Sequence, residues 1–526
     1  MITKYFIGVI IICLISIIGG IINAQYINDG YHWGFIFSHS VDLLKGKEPF
    51  VEIFLEYGFL QGLINFLLIK IFGEHVFIIQ VFIIIIYSIS LFLIYKIIFQ
   101  LTNNDKLSFL SVLIIFVLYP WPTSPWPIFF SFFFSMMFIL FYLEEERKYS
   151  ILAGISLFCA YLSYTTLYNF IIIFFILSII LQFFLFSNQH TKKYKKHLYY
   201  IFSTFFLFIF IFITYLVLND FLLNWVEFQK IPFLVKDSLK FSYFDIILQY
   251  MNFLFVMPFI NLVNEPQWLI YSILFTSNFL AIIFIIKKKR LFLNNHNKLK
   301  FLTIAIYIIL LNFFGQVQTL MYLSCSISAA VICFAILFNN IKSNENKFIV
   351  STIIFFLTFY SLFNYEMKFS KHADSRDKSI KFISSSKIFV TGNVNYYKYF
   401  KWDEEYWKLL DTITNKIKLI NKKCKNINGV NLTDDVYLYL LIDNKTFQRL
   451  PFYLDGSSFK FNKIFDENLN NNIQEQIFKE NIFIISQKNN EKNLVFNNKY
   501  VFFDTTLKSD KIISDIFRII YPKKCD

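Results

Sequence analysis

Between Gln25 and Leu60 the chain reads QYINDGYHWGFIFSHSVDLLKGKEPFVEIFLEYGFL, which gathers Asp29, His32, His39, Asp42, Glu48, Glu52 and Glu56 in one stretch. The apolar runs on either side hold almost no charge. Ionisable groups collected beside apolar spans mark a functional site by default, because charge is costly there. Two carboxylates are best placed to act. Asp29 closes the first apolar run and precedes Gly30, a turn dipeptide that lets its carboxylate leave the helix axis. Glu56 stands just before Tyr57-Gly58. A carboxylate can take a proton from a hydroxyl and stabilise positive charge developing on a nearby carbon. His32 is three residues from Asp29 and shares its face if the stretch is helical. Asp29, His32 and Glu56 would make only a loosely spaced ligand set for a divalent metal, so no metal site or other cofactor is assigned. A hydrogen-bonding or interfacial role suits His32 better. Asp42, Glu48 and Glu52 read as solvated.

These groups need a frame, and the composition says what kind. Of the 526 residues, 56% are hydrophobic and 16% charged, with a mean hydropathy of +0.53. A soluble domain is more polar, and repeated apolar runs of this length make a polytopic helical membrane protein. The net charge of +14 does not imply nucleic acid. The densest Lys/Arg clusters, SNQHTKKYKKH at 187–197 and KKKRLFLNNHNKLK at 287–300, lie in short loops, where basic residues set orientation. No nucleic-acid partner is expected. The first segment has a basic start, but its apolar run is too long for a cleaved leader, so it reads as a membrane helix.

About eleven spans are expected, at 5–24, 76–99, 107–120, 127–143, 150–163, 165–186, 198–218, 268–286, 300–314, 320–338 and 348–364. With the N-terminus inside, the basic loops at 144–150, 187–197, 287–300 and 339–347 all fall in the cytoplasm. Residues 25–75, 219–267 and everything after 364 then fall outside. Residues 244–263 are apolar enough to span, but spanning would put 287–290 outside, so they read as an interfacial or re-entrant helix. Residues 59–72, interrupted by Gln61, Asn65 and Lys70, read as an amphipathic helix on the outer surface. The prolines of YPWPTSPWP at 119–127 bar regular helix. Trp121 and Trp126 there read first as an aromatic belt at the outer interface, and second as a stacking wall beside the site.

After Tyr365 apolar runs shorten and Lys, Asn and Asp become common. Residues 402–424 have helical periodicity, and 436–443, 481–487 and 494–504 read as strands. The architecture is therefore a membrane domain over 1–364 followed by a small extracytoplasmic α/β domain over 365–526. Cys13, Cys159, Cys325 and Cys333 lie in apolar spans, where cysteine is a small hydrophobe. Cys424 and Cys525 are the two cysteines of the external part, and an oxidising compartment predicts that they pair.

Several motifs carry a resemblance. They are the Asp closely after the first helix, Lys45-Gly46-Lys47-Glu48-Pro49-Phe50, Glu56-Tyr57-Gly58-Phe59-Leu60 and Lys70-Ile71-Phe72-Gly73. Together they resemble the first loop of GT-C glycosyltransferases, in the branch of the protein mannosyltransferases, the aminoarabinose transferases and related bacterial membrane proteins. The resemblance implies a GT-C-like fold in a bacterial cytoplasmic membrane. It implies a polyprenyl-phosphate sugar donor, a glycan, lipid or protein acceptor, and inverting transfer on the outer face. Asp29 matches the catalytic carboxylate and Glu56 the second acid. Tyr57, His32, Trp121 and Trp126 are then candidates to contact substrate. The chain departs from the pattern in having Asn28 and Gly30, not a second acid, beside Asp29. Where many relatives carry Arg or His near a late span, it has Gln316 and Gln318. Lys230 and Lys236, with Lys240, are the alternative phosphate contacts. A flippase or transporter would be expected to carry charged or broken helices at mid-membrane. An O-antigen polymerase or ligase would be expected to carry Arg and His in a large late loop between spans.

Overall fold

In a computed structural model of the chain, the residues described are 3–25, 32–51, 53, 55, 58–119, 122, 126–164, 174, 177, 191–226, 248, 252, 256–260, 267–287, 295–314, 328–341, 343–347, 350, 352–354, 356–357, 389–390, 396, 399–425, 427–433, 438, 471, 473–487, 494–507 and 515–526. Helices dominate. They are α1 (Lys4–Ala24), α2 (His32–Leu44), α3 (Phe59–Phe72), α4 (Val76–Thr102), α5 (Asp105–Leu118), α6 (Pro127–Leu143), α7 (Arg147–Ser163), α8 (Thr191–Leu218), α9 (Gln267–Lys287), α10 (Asn295–Phe314), α11 (Val331–Asn339) and, late in the chain, α12 (Glu404–Lys423). Expected spans from 5–24 through 150–163, and those at 198–218, 268–286 and 300–314, coincide with helices. The one at 165–186 lies mostly outside the described residues, and those at 320–338 and 348–364 are described in part. Of 244–263, one helical turn, Met257–Ile260, is described.

Among the described residues, three helices are long and apolar enough to cross a membrane: Lys4–Ala24, Val76–Thr102 and Tyr194–Leu218. α1 and α8 leave most of their apolar surface uncovered, as helices in lipid do, whereas α4 is mostly buried among its neighbours. α1 buries Val9, Ile12, Ser16, Gly20 and Ala24, a narrow stripe of mostly small residues. Its large residues, including Ile11, Leu14 and Ile18, face outward. Small residues let backbones approach without a hydrophobic driving force. A Cβ on Gly20 would meet Ile84 of α4 at 2.7 Å, and one on Gly154 of α7 would meet the Ile201 carbonyl of α8 at 2.6 Å.

The helix ends expected on one side of the membrane do meet. Lys300 Nζ binds the Glu145 carboxylate at 2.6 Å and donates to the Leu143 carbonyl at 2.8 Å. Gln100 donates to Glu144, and Asn104 to Asn339. Just inside, Tyr194 joins Tyr142 and Thr303, while His197 reaches Ser150 and the Tyr142 carbonyl. Buried polar groups need such partners in an apolar frame.

Late in the chain, β3 (Asn428–Leu432), β4 (Ile482–Gln487), β5 (Tyr500–Leu507) and β6 (Asp515–Pro522) form a mixed sheet in the order β3-β4-β6-β5, after a short antiparallel pair, β1 (Phe389–Val390) with β2 (Trp402–Asp403). Among the described strands, only β3 and β4 run parallel. α12 packs against β5, and Cys424 and Cys525 are bonded, with Cα atoms 5.6 Å apart. The expected strand at 436–443 is not found at Leu438, which is helical, and its other residues lie outside the described ones. The strand expected at 494–504 begins only at Tyr500. One apolar cluster unites Trp33, Phe37 and Val41 of α2, Ile69 of α3 and Val76 and Ile79 of α4 with Phe400, Trp407 and the sheet.

Candidate functional site

The first loop is built on α2, which the sequence left conditional. Its stripe Trp33, Phe37, Val41, at helical spacing, is buried. The helix is stopped by Gly46 in the left-handed region, φ 81°. The Gly46 N–H donates to the Leu43 carbonyl and the Lys47 N–H to the Asp42 carbonyl, a Schellman closure. That turn brings Lys47 Nζ to 2.8 Å from the Asp42 carboxylate. Asp42 is therefore not solvated: it is 5% exposed. Glu48 is exposed, as expected.

The chain then turns through Phe50–Ile53, where Phe50 N–H donates to the Ile53 carbonyl. Phe50, Ile53, Leu55 and Phe59 pack with Leu162 of α7 and Phe212 and Leu216 of α8. Gly58 starts α3 so close to α7 that a Cβ would lie 2.3 Å from the Ser163 carbonyl oxygen. α3 buries two polar residues among apolar ones, Phe59 and Ile69, and exposes large apolar residues beside Lys70. Its inward face carries Gln61, Gly62 and Asn65, while Leu67, Ile71 and Phe72 point out.

Between α2 and α3 lies a cavity of about 10 Å³, lined by Ile36, His39, Leu55, Gly58, Gln61, Gly62 and Asn65. Burial, and secondarily the Lys47 ammonium, push the His39 imidazole down from 6.5 to about 3. It is neutral near pH 7. Neither amide atom of Asn65 has a hydrogen-bond partner among the described residues. The space is that of about one water, and neutral amides with a neutral imidazole suit a water or a single hydroxyl better than an ion.

Asp29, Glu56, Tyr57, Trp121, Lys230, Lys236, Lys240, Gln316 and Gln318, like Glu52, lie outside the described residues. His32 opens α2, and its side chain is likewise outside them. Among the described residues no group of three or more His, Cys, Asp or Glu is placed to hold a metal ion. Trp126 is 4% exposed, packed in the main helical core at the start of α6. That rules out both the interfacial belt and an open stacking wall for it. In the sequence His39 carries no assigned role, and Gln61 and Asn65 read as interruptions of an apolar run. Their i, i+4 spacing was the available signal that they share one side of α3.

No protein-family model matches the chain, and no curated protein matches it by sequence. Solved structures do resemble it. The Archaeoglobus fulgidus oligosaccharyltransferase, in its apo form, is similar with a TM-score of 0.50 at 12% identity, over 92% of this chain and 69% of that one. ArnT from Cupriavidus metallidurans, bound to undecaprenyl phosphate, is similar with a TM-score of 0.51 at 8% identity, over 97% of both chains. Likeness at such identity speaks for the fold, and the fold is that of GT-C membrane glycosyltransferases. With its apolar helices, the chain is an integral membrane protein.

Proposed function

We propose that this GT-C-fold chain transfers a sugar from a polyprenyl-phosphate donor to a hydroxyl of a glycan, lipid or protein acceptor on the outer face of a bacterial cytoplasmic membrane. The observation that carries the reading is fold similarity along 97% of the chain to an ArnT bound to undecaprenyl phosphate. The acidic first loop supports it, since Asp29 follows the end of α1 and precedes α2.

Phosphate is a competent leaving group, so the reaction needs one base and not the two carboxylates of a retaining hydrolase. Asp29 takes the acceptor proton as the acceptor oxygen attacks the anomeric carbon. The bond to phosphate breaks on the opposite face, so configuration inverts. Glu56 orients the acceptor or the loop. Lys230, Lys236, Gln316 and Gln318 are the groups proposed for the phosphate, and His32, Tyr57 and Trp121 those for the sugar. In this reading residues 1–364 lie in the membrane and 365–526 outside.

The test is purified protein in lipid, given a panel of radiolabelled polyprenyl-phosphate sugars, with and without chelator. Asp29→Asn is nearly isosteric and removes only charge and basicity, so it should cost on the order of 10²–10⁴ in rate, with a smaller loss for Glu56→Gln. Full transfer by Asp29→Asn would remove the proposed base.

A further inference from the structure

We infer that the cleft between the ends of α4, α6, α10 and α11 binds the primary-ammonium headgroup of an aminophospholipid, of which phosphatidylethanolamine is the type. The cleft has a volume of about 260 Å³. That lies just below the ~300–1,000 Å³ of pockets that take drug-sized ligands, so it suits a headgroup and not a whole lipid. Its floor is apolar, from Leu101, Leu143, Phe301 and Ile336, and its polar groups are Gln100, Glu144 and Lys300. α4 separates it from the first loop by 27 residues of helix, about 40 Å. The inference goes beyond the proposed sugar transfer and does not rest on it.

The electrostatics of the cleft select a cation. Gln100 and Leu101 stand in the last turn of α4, Leu143 ends α6 and Ile336 opens the last turn of α11. Each helix C-terminus carries about half a negative charge, and here three of them meet the N-terminal part of one helix, α10. Lys300, 7% exposed, already binds the Glu145 carboxylate and the Leu143 carbonyl. Glu144 is half-buried and accepts from Gln100 at 2.9 Å through one oxygen. It has no ion-pair partner among the described residues. The nearby cations are engaged elsewhere, Lys148 with Glu146 at 3.0 Å and Arg147 over the Tyr200 ring. A carboxylate held partly out of water without a counter-ion carries a desolvation cost that an incoming ammonium offsets through charge-assisted hydrogen bonds. The floor favours an amine carried on a lipid over a bare cation, since covering it adds about 25 cal/mol for each Å² of apolar surface removed from water. An ammonium has three donors, so Lys300 keeps one beyond its two contacts for a phosphate oxygen. One zwitterionic headgroup thereby meets both charges, its ammonium at Glu144 and its phosphate at Lys300. Phosphatidylglycerol has no amine, and the quaternary amine of phosphatidylcholine has no N–H to donate.

The experiment is isothermal titration of the full chain in detergent with dioctanoyl phosphatidylethanolamine, phosphatidylglycerol and phosphatidylcholine, each below its micellar concentration, and with soluble phosphoethanolamine. Phosphatidylethanolamine should bind about tenfold more tightly than the other two lipids. Glu144→Gln keeps the acceptor for Gln100 and removes the charge, so it should lower that affinity about tenfold, to the level of phosphatidylglycerol. Leu101→Trp fills the floor of the cleft and should lower it as well. Glu146→Gln alters a carboxylate outside the cleft and should leave the affinity unchanged. Melting temperatures near wild type show that the variants are folded. Equal affinity for phosphatidylethanolamine and phosphatidylglycerol overturns the site, as does an absence of binding by phosphatidylethanolamine. Wild-type affinity in both Glu144→Gln and Leu101→Trp overturns its location, and an equal loss in Glu146→Gln reduces it to bulk charge. Phosphoethanolamine binding as tightly as the lipid overturns the lipid as the source of the headgroup. No arm requires sugar transfer, so the result stands apart from the fate of the functional reading.

Discussion

Acid should loosen the first loop through one residue, His39. It lies on α2, 6% exposed, and lines the small cavity with Gln61 and Asn65 of α3. The charged pair near it is Asp42 with Lys47, on the closing turn of its own helix. Burial first, and the Lys47 ammonium second, lower its pKa from 6.5 to about 3. The sign follows directly. Between these values the unfolded loop binds a proton and the folded loop does not, so stability is full above pH 6.5 and is lost as pH falls. The whole gap is worth about 5 kcal/mol, reached only near pH 3, and about 2 kcal/mol of it is gone at pH 5. Hydrogen exchange of the α2 amides, corrected for intrinsic rates, reads this locally without unfolding the spans. Between pH 7.5 and 5 the opening constant of α2 should rise about 30-fold. His39→Gln keeps a hydrogen-bonding side chain and cannot titrate, so its opening constant should stay flat. Lys47→Met should raise the His39 pKa and shift the rise to higher pH. Equal pH dependence in wild type and His39→Gln would refute the argument.

Asp42→Asn should lower stability by about 1–3 kcal/mol in thermal unfolding, less than a fully buried broken pair because Lys47 retains some exposure. Gly154→Val should cost about 1–3 kcal/mol or more by wedging α7 from α8, seen as a lower melting temperature and loss of monodispersity. Gly46→Ala meets nothing within 4 Å, so it should cost only the left-handed backbone, about 1–2 kcal/mol, read by the same melt. Replacing both Cys424 and Cys525 by Ser opens a bridge spanning 101 residues. It should destabilise the sheet and α12 by about 2–5 kcal/mol, and reductant should produce the same drop in melting temperature.

Long apolar runs made the helices legible: α1, α4 and α6 begin and end within a few residues of the sequence reading. β4 was legible too, because NIFIISQ is rich in Ile and Phe and bounded by Asn. β3 was not, since NGVNL lacks β-formers other than Val and is a strand by virtue of pairing with β4. α2 was obscured by Gly34 and by Ser38 and Ser40, and its buried stripe shows only once Phe400 and Trp407 stand against it. At the site, the acids of the first loop were visible as residue types. The role of Asp42 was not, because its ion pair depends on the turn at Gly46. Trp126 misled because frequency at interfaces does not tell a lipid-facing ring from one beneath a neighbouring helix.

The outward face of α3 has a consequence for the lipid itself. Leu67, Ile71 and Phe72 look outward, and Lys70 reaches back over the Phe66 ring with its ammonium 5.5 Å from the centroid. An apolar face edged by a snorkelling lysine settles at the boundary between hydrocarbon and headgroups. α3 is held from within as well, by Phe59 against α7 and α8 and by Ile69 against α2 and α4, so the lipid and the helix bundle together set the height of Gln61 and Asn65. α1, a 21-residue helix, answers to bilayer thickness chiefly by tilting. Shorter or longer acyl chains would therefore load the outer face of α3 and, through it, the walls of the cavity at Gly58, making lipid length a variable of the site.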